Sequence, residues 1–111
     1  MDDYTQNPVF EDTARISEVI LFKNKRIIDK QVKVKLYGDK IVVKGKTLDI
    51  TFDFEKTGVV TVLGRNKVNI YYGDKCYQLK GDKRMNGLKY VHFFHRYKNT
   101  PGGENNEFLG L

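Results

Sequence analysis

The fold is decided by the stretch Leu48-Asp49-Ile50-Thr51-Phe52-Asp53-Phe54, in which apolar and polar residues alternate one by one. A period of two is typical of a strand with one buried face and one face in water. On both sides of it, short runs rich in Val, Ile, Thr and Tyr are separated by turn residues such as Gly38-Asp39 and Gly64-Arg65-Asn66. These patterns predict seven strands, over residues 19–22, 26–37, 41–43, 48–54, 59–63, 67–72 and 76–80.

The pattern changes after Gly81, where residues 83–98 contain no proline, no threonine and a single β-branched residue. This composition predicts one helix of about four turns, with Asp82 as its N-cap and Gly87 as its weakest point. One side of the helix carries Leu88, Val91, His92 and His95. We expect that side to pack on the sheet, and the opposite side to be left as an interaction surface for a partner or a second copy, formed by Tyr90, Phe93, Phe94 and Tyr97. The alternative is that Tyr90 and Tyr97 lie along the mouth of a barrel with their hydroxyl groups in water.

The predicted fold class is mainly β: a seven-stranded antiparallel barrel or sandwich, capped by one C-terminal helix. A chain of 111 residues has room for one domain. We expect a flexible lead-in over residues 1–17, the domain over 18–98 and a flexible tail over 99–111. The predicted core consists of Val32, Val34, Leu36, Ile41, Val43, Leu48, Ile50, Phe52, Phe54, Val60, Val62, Val68, Ile70, Leu79, Leu88 and Val91.

The formal charge of +6 conceals a segregation of charge along the chain. Residues 1–12 carry four carboxylates and no cation, whereas all 20 cations lie between Arg15 and Lys98 with only eight carboxylates, a net charge of +12. Such a basic body predicts an anionic partner: lipid headgroups, nucleic acid or an acidic protein face. The alternative is a lysine-rich surface that serves solubility alone.

Other features limit where the protein works. Without a run of about 18 apolar residues, a membrane-spanning helix is not expected. The first residues lack the basic and apolar segments of a secretory signal. A lone cysteine, Cys76, cannot form an internal disulfide, which fits a reducing compartment. We therefore expect a cytoplasmic protein, peripheral to the membrane where it meets one.

No set of residues is spaced for catalysis. His92 and His95 stand three residues apart, which suits two metal ligands, but a third ligand is lacking. Cys76 has no evident base, and no glycine-rich phosphate loop occurs. The sequence therefore predicts a protein that is not an enzyme and holds no metal or cofactor.

Residues 32–41, VKVKLYGDKI, form a strand, a tight turn and a strand, and residues 49–55, DITFDFE, alternate acidic and apolar residues. Together with the predicted order of seven strands followed by one helix, this sequence pattern resembles the pleckstrin-homology superfold, including its bacterial and GRAM-like relatives, over residues 18–98. That resemblance implies a non-catalytic interaction module of the same fold.

A second likeness covers residues 62–67, 77–84 and 88–91, which read VLGRNK, YQLKGDKR and LKYV. They are similar to the region that follows the catalytic domain in some bacterial lysophospholipid acyltransferases. This implies the accessory domain of a larger lipid-metabolising protein, without the enzyme. The acyltransferase signature is a His and an Asp with four residues between them, and at that spacing from His92 and His95 stand Tyr97 and Thr100.

Lipid-binding members of the pleckstrin-homology class place basic residues at the first hairpin and on strand two. The resemblance therefore implies an anion site formed by Lys23, Lys25, Arg26, Lys33 and Lys35. Lys35 departs from the pattern, which has an arginine at this position, so the bidentate grip on phosphate that an arginine provides would be lost. We expect the module to bind an anionic membrane surface or a protein partner. The alternatives are a single-stranded nucleic-acid-binding domain, with Tyr37, Tyr71 and Tyr77 as stacking surfaces, or a dimerisation domain that uses the helix.

Overall fold

Seven antiparallel strands and one helix make up most of the computed structural model, which describes residues 7–20 and 24–99. The strands are β1 (Phe10–Val19), β2 (Lys25–Leu36), β3 (Lys40–Lys44), β4 (Asp49–Asp53), β5 (Thr57–Leu63), β6 (Lys67–Tyr72) and β7 (Lys75–Gly81), and the helix is α1 (Leu88–Lys98). The mainly β fold predicted from the sequence is confirmed. The hairpins on either side of β6 turn at Gly64 and Gly73, whose φ angles of 64° and 66° are easily reached only by glycine.

The strands form one curled sheet, a half-barrel in the order β4-β3-β2-β1-β7-β6-β5. Strand β1 is central because it joins the two halves of the sheet. Its first residues, from Phe10 to Thr13, pair with β2 alone, and its second half, from Ala14 to Val19, pairs with β2 and β7. Strands β4 and β5 form the two edges. The buried apolar residues lie on the inner face of the curl, which therefore holds the core.

The position of β1 corrects two predictions. Residues 10–17 lie in the expected lead-in but form most of β1, and the first strand was expected only from residue 19, where β1 ends. The cause is Asp12, which precedes the buried residues Ala14 and Ile16 on the same face and breaks the apolar alternation. The hydroxyl group of buried Tyr90 donates to Asp12 Oδ2 at 2.5 Å, and Lys89 Nζ lies 3.0 Å from the same oxygen. Residues 1–6 of the lead-in, and the tail from residue 100, lie outside the described residues.

The inner face of the sheet largely confirms the predicted core. Eleven of the sixteen predicted residues are fully buried: Val32, Val34, Leu36, Ile41, Val43, Phe52, Phe54, Val60, Val68, Ile70 and Leu79. Leu48, Ile50, Val62 and Val91 are half-buried. Leu88 is 60% exposed, so its assignment to the core is wrong.

The helix begins at Leu88, not near residue 83, and the N-cap position is Gly87, not Asp82. The Asp82 carboxylate instead accepts hydrogen bonds from the backbone N–H of Arg84 at 2.8 Å and from its side chain at 2.9 Å, which closes a turn. The Gly87 N–H donates to the Arg65 carbonyl oxygen at 2.7 Å. A Cβ atom on Gly87 would lie 2.7 Å from Val62 and so could not be accommodated without a shift. The chain therefore passes tightly over the β5–β6 hairpin before it can turn into a helix.

The aromatic side of α1 faces the core, which reverses the predicted orientation. Tyr90, Phe93 and Phe94 are buried, and Tyr97 is half-buried with its ring 5.9 Å from that of Phe54. The Phe94 ring meets Phe54 edge-on at 5.4 Å. The expected interaction surface on this side is therefore wrong, because the open side of a half-barrel leaves a wide space that large rings fill better than Leu88 or Val91 would. Within the described residues, no helix is long and apolar enough to cross a membrane.

Candidate functional site

The first hairpin does not gather its basic residues into one site. Lys25 and Arg26 are consecutive in β2, so their side chains leave opposite faces of the sheet. Lys25 Nζ donates to Gln78 Oε1 at 2.8 Å on the outer face, whereas Arg26 Nη2 donates to Glu18 Oε1 at 2.6 Å. Lys23 lies outside the described residues. The charge of Arg26 is thus already balanced by a carboxylate.

Lys33 and Lys35 do not complete that site either. They lie seven or more residues further along β2, which corresponds to about 23 Å or more of extended chain. Both leave the outer face, between the buried residues Val32, Val34 and Leu36. Lys35 stands opposite Glu11 in the register, whereas Lys33 stands opposite Lys44. The four described residues of the site implied by the resemblance therefore separate into at least two places.

A partly different set of basic residues, which shares Lys33 with the implied site, is aligned on the outer face. Lys67 of β6 is paired in register with Lys80 of β7, and Lys80 is paired with Arg15 of β1. Thr13, the next outward residue of β1, is paired with Lys33 of β2, which is paired with Lys44 of β3. One cation from each of five adjacent strands thus forms a cationic band, which we define as Lys67, Lys80, Arg15, Lys33 and Lys44.

The band spans about 19 Å, because neighbouring strands lie about 4.8 Å apart. It ends at β4, where Asp49 is paired with Lys44. Within the band, cations stand directly opposite cations at two places in β6-β7-β1 and at one place in β2-β3. Like charges in directly opposed positions destabilise a sheet.

No band cation forms an ion pair among the described residues, although Asp49 stands opposite Lys44 in the register. The ion pairs in this part of the chain join Glu18 to Arg26 and Lys75, and join other carboxylates to Lys40, Arg84 and Lys89. No band cation belongs to them. Arg15 adds a further sign of unmet binding capacity, because its Nε is buried without a hydrogen-bond partner among the described residues.

Exposed apolar side chains lie on the same outer face. Leu63 is paired with Lys67 at the end of the band and is 50% exposed. Ile27, Val59 and Tyr71 are between 44% and 46% exposed. The outer face therefore combines the cationic band with scattered apolar groups.

The residues considered for metal binding or nucleophilic chemistry, His92, His95 and Cys76, do not form a reactive cluster among the described residues. His92 and His95 are exposed on α1, and the described part of the chain has no group of three side chains suited to a metal ion. Burial raises the pKa of the Cys76 thiol, with a smaller opposing effect from its hydrogen bond with Tyr71. At neutral pH the thiol is therefore protonated, which is unfavourable for a nucleophile.

The three tyrosines considered for base stacking are mostly occupied. Lys40 Nζ lies 4.4 Å above the ring of Tyr37, and the ring of Tyr77 packs inward at 5.2 Å from that of Phe52. Tyr71, 44% exposed, is the most accessible of the three. A stacking platform for several bases is therefore not formed by these residues.

The sequence interpretation missed most of the band. Arg15 lies in the expected lead-in, Lys44 and Lys80 have no distinguishing local pattern, and Lys67 is marked only by its place after the turn Gly64-Arg65-Asn66. What unites them is cross-strand register, which a local pattern does not contain. No family model matches the chain, and no similar sequence is found among curated proteins.

Proposed function

We propose that the protein is a non-catalytic module that docks on an anionic membrane surface through the outer face of its sheet. The observation that carries this proposal is the cationic band, five cations on five adjacent strands outside the ion pairs of the described residues. A sheet gains nothing in stability from opposed like charges, whereas a bilayer rich in anionic lipids would neutralise them together.

The expected strength of binding is moderate. Each basic residue near an anionic bilayer contributes about 1 kcal/mol, so five contribute about 5 kcal/mol, which corresponds to sub-millimolar binding. Leu63 and Ile27, both about half exposed, would add apolar contact with the interface. Docking would therefore be reversible and would weaken as salt screens the charges.

Nucleic acid fits this surface less well than a bilayer does. Binding to single strands relies on aromatic rings that stack on successive bases. The outer face offers Tyr71, while the rings of Tyr37 and Tyr77 are engaged with Lys40 and Phe52. Charge alone would still attract an oligonucleotide, so this alternative is included in the test.

The resemblance to pleckstrin-homology-like domains belongs to the same proposal. It is supported by the half-barrel of seven strands with a C-terminal helix packed against its open side. The likeness of residues 62–67, 77–84 and 88–91 to an acyltransferase accessory region supports a role beside a lipid-metabolising activity. In that role the module would hold such an activity at the cytoplasmic face of a membrane.

Co-sedimentation with vesicles tests the proposal. The triple variant Arg15→Gln, Lys67→Gln, Lys80→Gln should bind vesicles of phosphatidylcholine and phosphatidylglycerol roughly a hundredfold more weakly than the parent chain. The matched control is Lys56→Gln, Arg96→Gln, Lys98→Gln, which removes the same charge from the β4–β5 turn and the end of α1. It should bind nearly as well as the parent.

Two results would contradict the proposal. Equal losses in both triple variants would mean that net charge, not the band, governs binding. Tight binding to an oligonucleotide with a steep salt dependence, combined with indifference to the vesicles at the same ionic strength, would favour the nucleic-acid alternative.

A further inference from the structure

A groove of about 350 Å³ lies next to the cationic band on the outer face. It is lined by residues of five strands, β1, β2, β5, β6 and β7: Val19, Lys25, Leu63, Lys67, Asn69 and Gln78. Lys67 is the one residue that the groove shares with the band. Gln78 is only 4% exposed, an unusual position for an amide on the outer face of a sheet.

The buried amide belongs to a directed chain of hydrogen bonds. Lys25 Nζ donates to Gln78 Oε1 at 2.8 Å, and Gln78 Nε2 donates to Asn69 Oδ1 at 2.9 Å. The ammonium group fixes the direction, because it can only donate. Both amide oxygens are thereby used as acceptors, and Asn69 Nδ2 is left to donate at the end of the chain.

The groove consequently offers donors and positive charge to a ligand. Lys25 has N–H groups besides the one that donates to Gln78, Lys67 brings a second ammonium group, and Asn69 adds an amide donor. Among the described residues, the lining includes no carboxylate. A ligand that satisfies these groups must bring several acceptors and negative charge. Leu63 and Val19 add apolar contact for a short carbon segment attached to that anion.

We propose that this groove binds a phosphate monoester, such as the headgroup of phosphatidic acid. A phosphate monoester carries between one and two negative charges near neutral pH and has three strong acceptor oxygens, whereas a phosphodiester headgroup carries one charge. Two lysines and an amide donor match the monoester better. The inference rests on the proposed membrane docking and names the headgroup that the docked protein selects.

Vesicles matched in surface charge test the selectivity. One set contains phosphatidic acid and the other phosphatidylglycerol, both in phosphatidylcholine. The parent chain should bind the first set about tenfold more tightly, the equivalent of one charge-assisted hydrogen bond. Gln78→Met keeps the length of the side chain but breaks the hydrogen-bond chain, so it should lose this preference and keep its affinity for phosphatidylglycerol.

A second variant guards against a folding defect in Gln78→Met. Asn69→Asp is nearly isosteric and can still accept from Gln78, but it places a negative charge where the phosphate would lie. It should abolish the preference as well. Equal binding of the parent chain to both vesicle sets, or an undiminished preference in Asn69→Asp, would overturn the groove as a phosphate site.

A titration without vesicles separates the groove from membrane docking. Glycerol phosphate should produce saturable NMR shifts in the side-chain amide signals of Asn69 and Gln78, and the shift of the Gln78 signal should disappear in Asn69→Asp. Shifts without vesicle binding would support the groove for a soluble phosphate ester and contradict the docking proposal. An absence of saturable shifts would overturn the groove even if the band still binds anionic vesicles.

Discussion

The two faces of the sheet are built from alternate residues of the same strands, yet they follow different rules. On the inner face, Val32 and Val34 of β2 are almost completely buried in a continuous apolar core. On the outer face, Lys33 between them stands opposite Lys44, and Lys80 stands opposite both Arg15 and Lys67. Burial on the inner face thus stabilises the fold, whereas the opposed like charges on the outer face destabilise it. Changes on the inner face should therefore affect folding, and changes in the band should affect binding.

The largest expected effect comes from the inner face, at Phe52. Its ring is fully buried and packs against those of Tyr72 and Tyr77 at 5.3 and 5.2 Å. Phe52→Ala would leave a cavity and should lower the free energy of unfolding by about 3 to 5 kcal/mol, measured by urea denaturation. The neighbouring change Thr51→Ala, on the exposed face of β4, should cost about 0.5 kcal/mol or less. A loss below about 1 kcal/mol for Phe52→Ala would mean that the core face is wrongly assigned.

A smaller effect is expected where polar chemistry enters the inner face, at Tyr90. Tyr90→Phe removes the hydrogen bond to Asp12 but leaves Lys89 beside that carboxylate, so the cost should be about 1 kcal/mol. Burial, helped by the hydrogen bond to Asp12 and by the negative charge of that carboxylate, raises the pKa of Tyr90 above its usual range.

This shift gives the Tyr90 contribution a pH dependence. The unfolded chain would release the phenolic proton near pH 10, before the folded protein does. The stability that the shift confers is therefore complete below about pH 10 and is lost as the pH rises further, by at most about 1.4 kcal/mol per pH unit. Between about pH 8 and about pH 11, the free energy of unfolding should decline less steeply with pH in Tyr90→Phe than in the parent chain. Parallel declines would show that Tyr90 titrates normally.

The contrast between the faces also explains what the sequence could and could not predict. Burial imposes a period of two, so the inner residues from Val32 to Leu79 were largely identified from alternation alone. Most of β1 was not predicted as a strand, because Asp12 occupies an inward position and has its partners on the distant helix. The buried side of α1 was predicted wrongly, because its aliphatic and aromatic sides are both apolar. Only the width of the open side of the half-barrel decides which of the two packs inward. The band depends on register between strands as far apart in sequence as Arg15 and Lys80, which no local pattern reports.

The smallest predicted effect is also the sharpest test of the contrast, because stability and binding should move in opposite directions. Lys80 stands between Lys67 and Arg15, so Lys80→Gln removes two opposed like-charge pairs at once. It should raise the free energy of unfolding by about 0.2 to 1 kcal/mol at low salt, and the gain should shrink as salt increases. The same variant should bind anionic vesicles several-fold more weakly, by about 1 kcal/mol.

The control is Lys56→Gln, which changes an exposed lysine in the β4–β5 turn and should change neither quantity measurably. If Lys80→Gln loses stability, the opposed cations stabilise the sheet through contacts of their own, and like-charge repulsion does not destabilise the outer face.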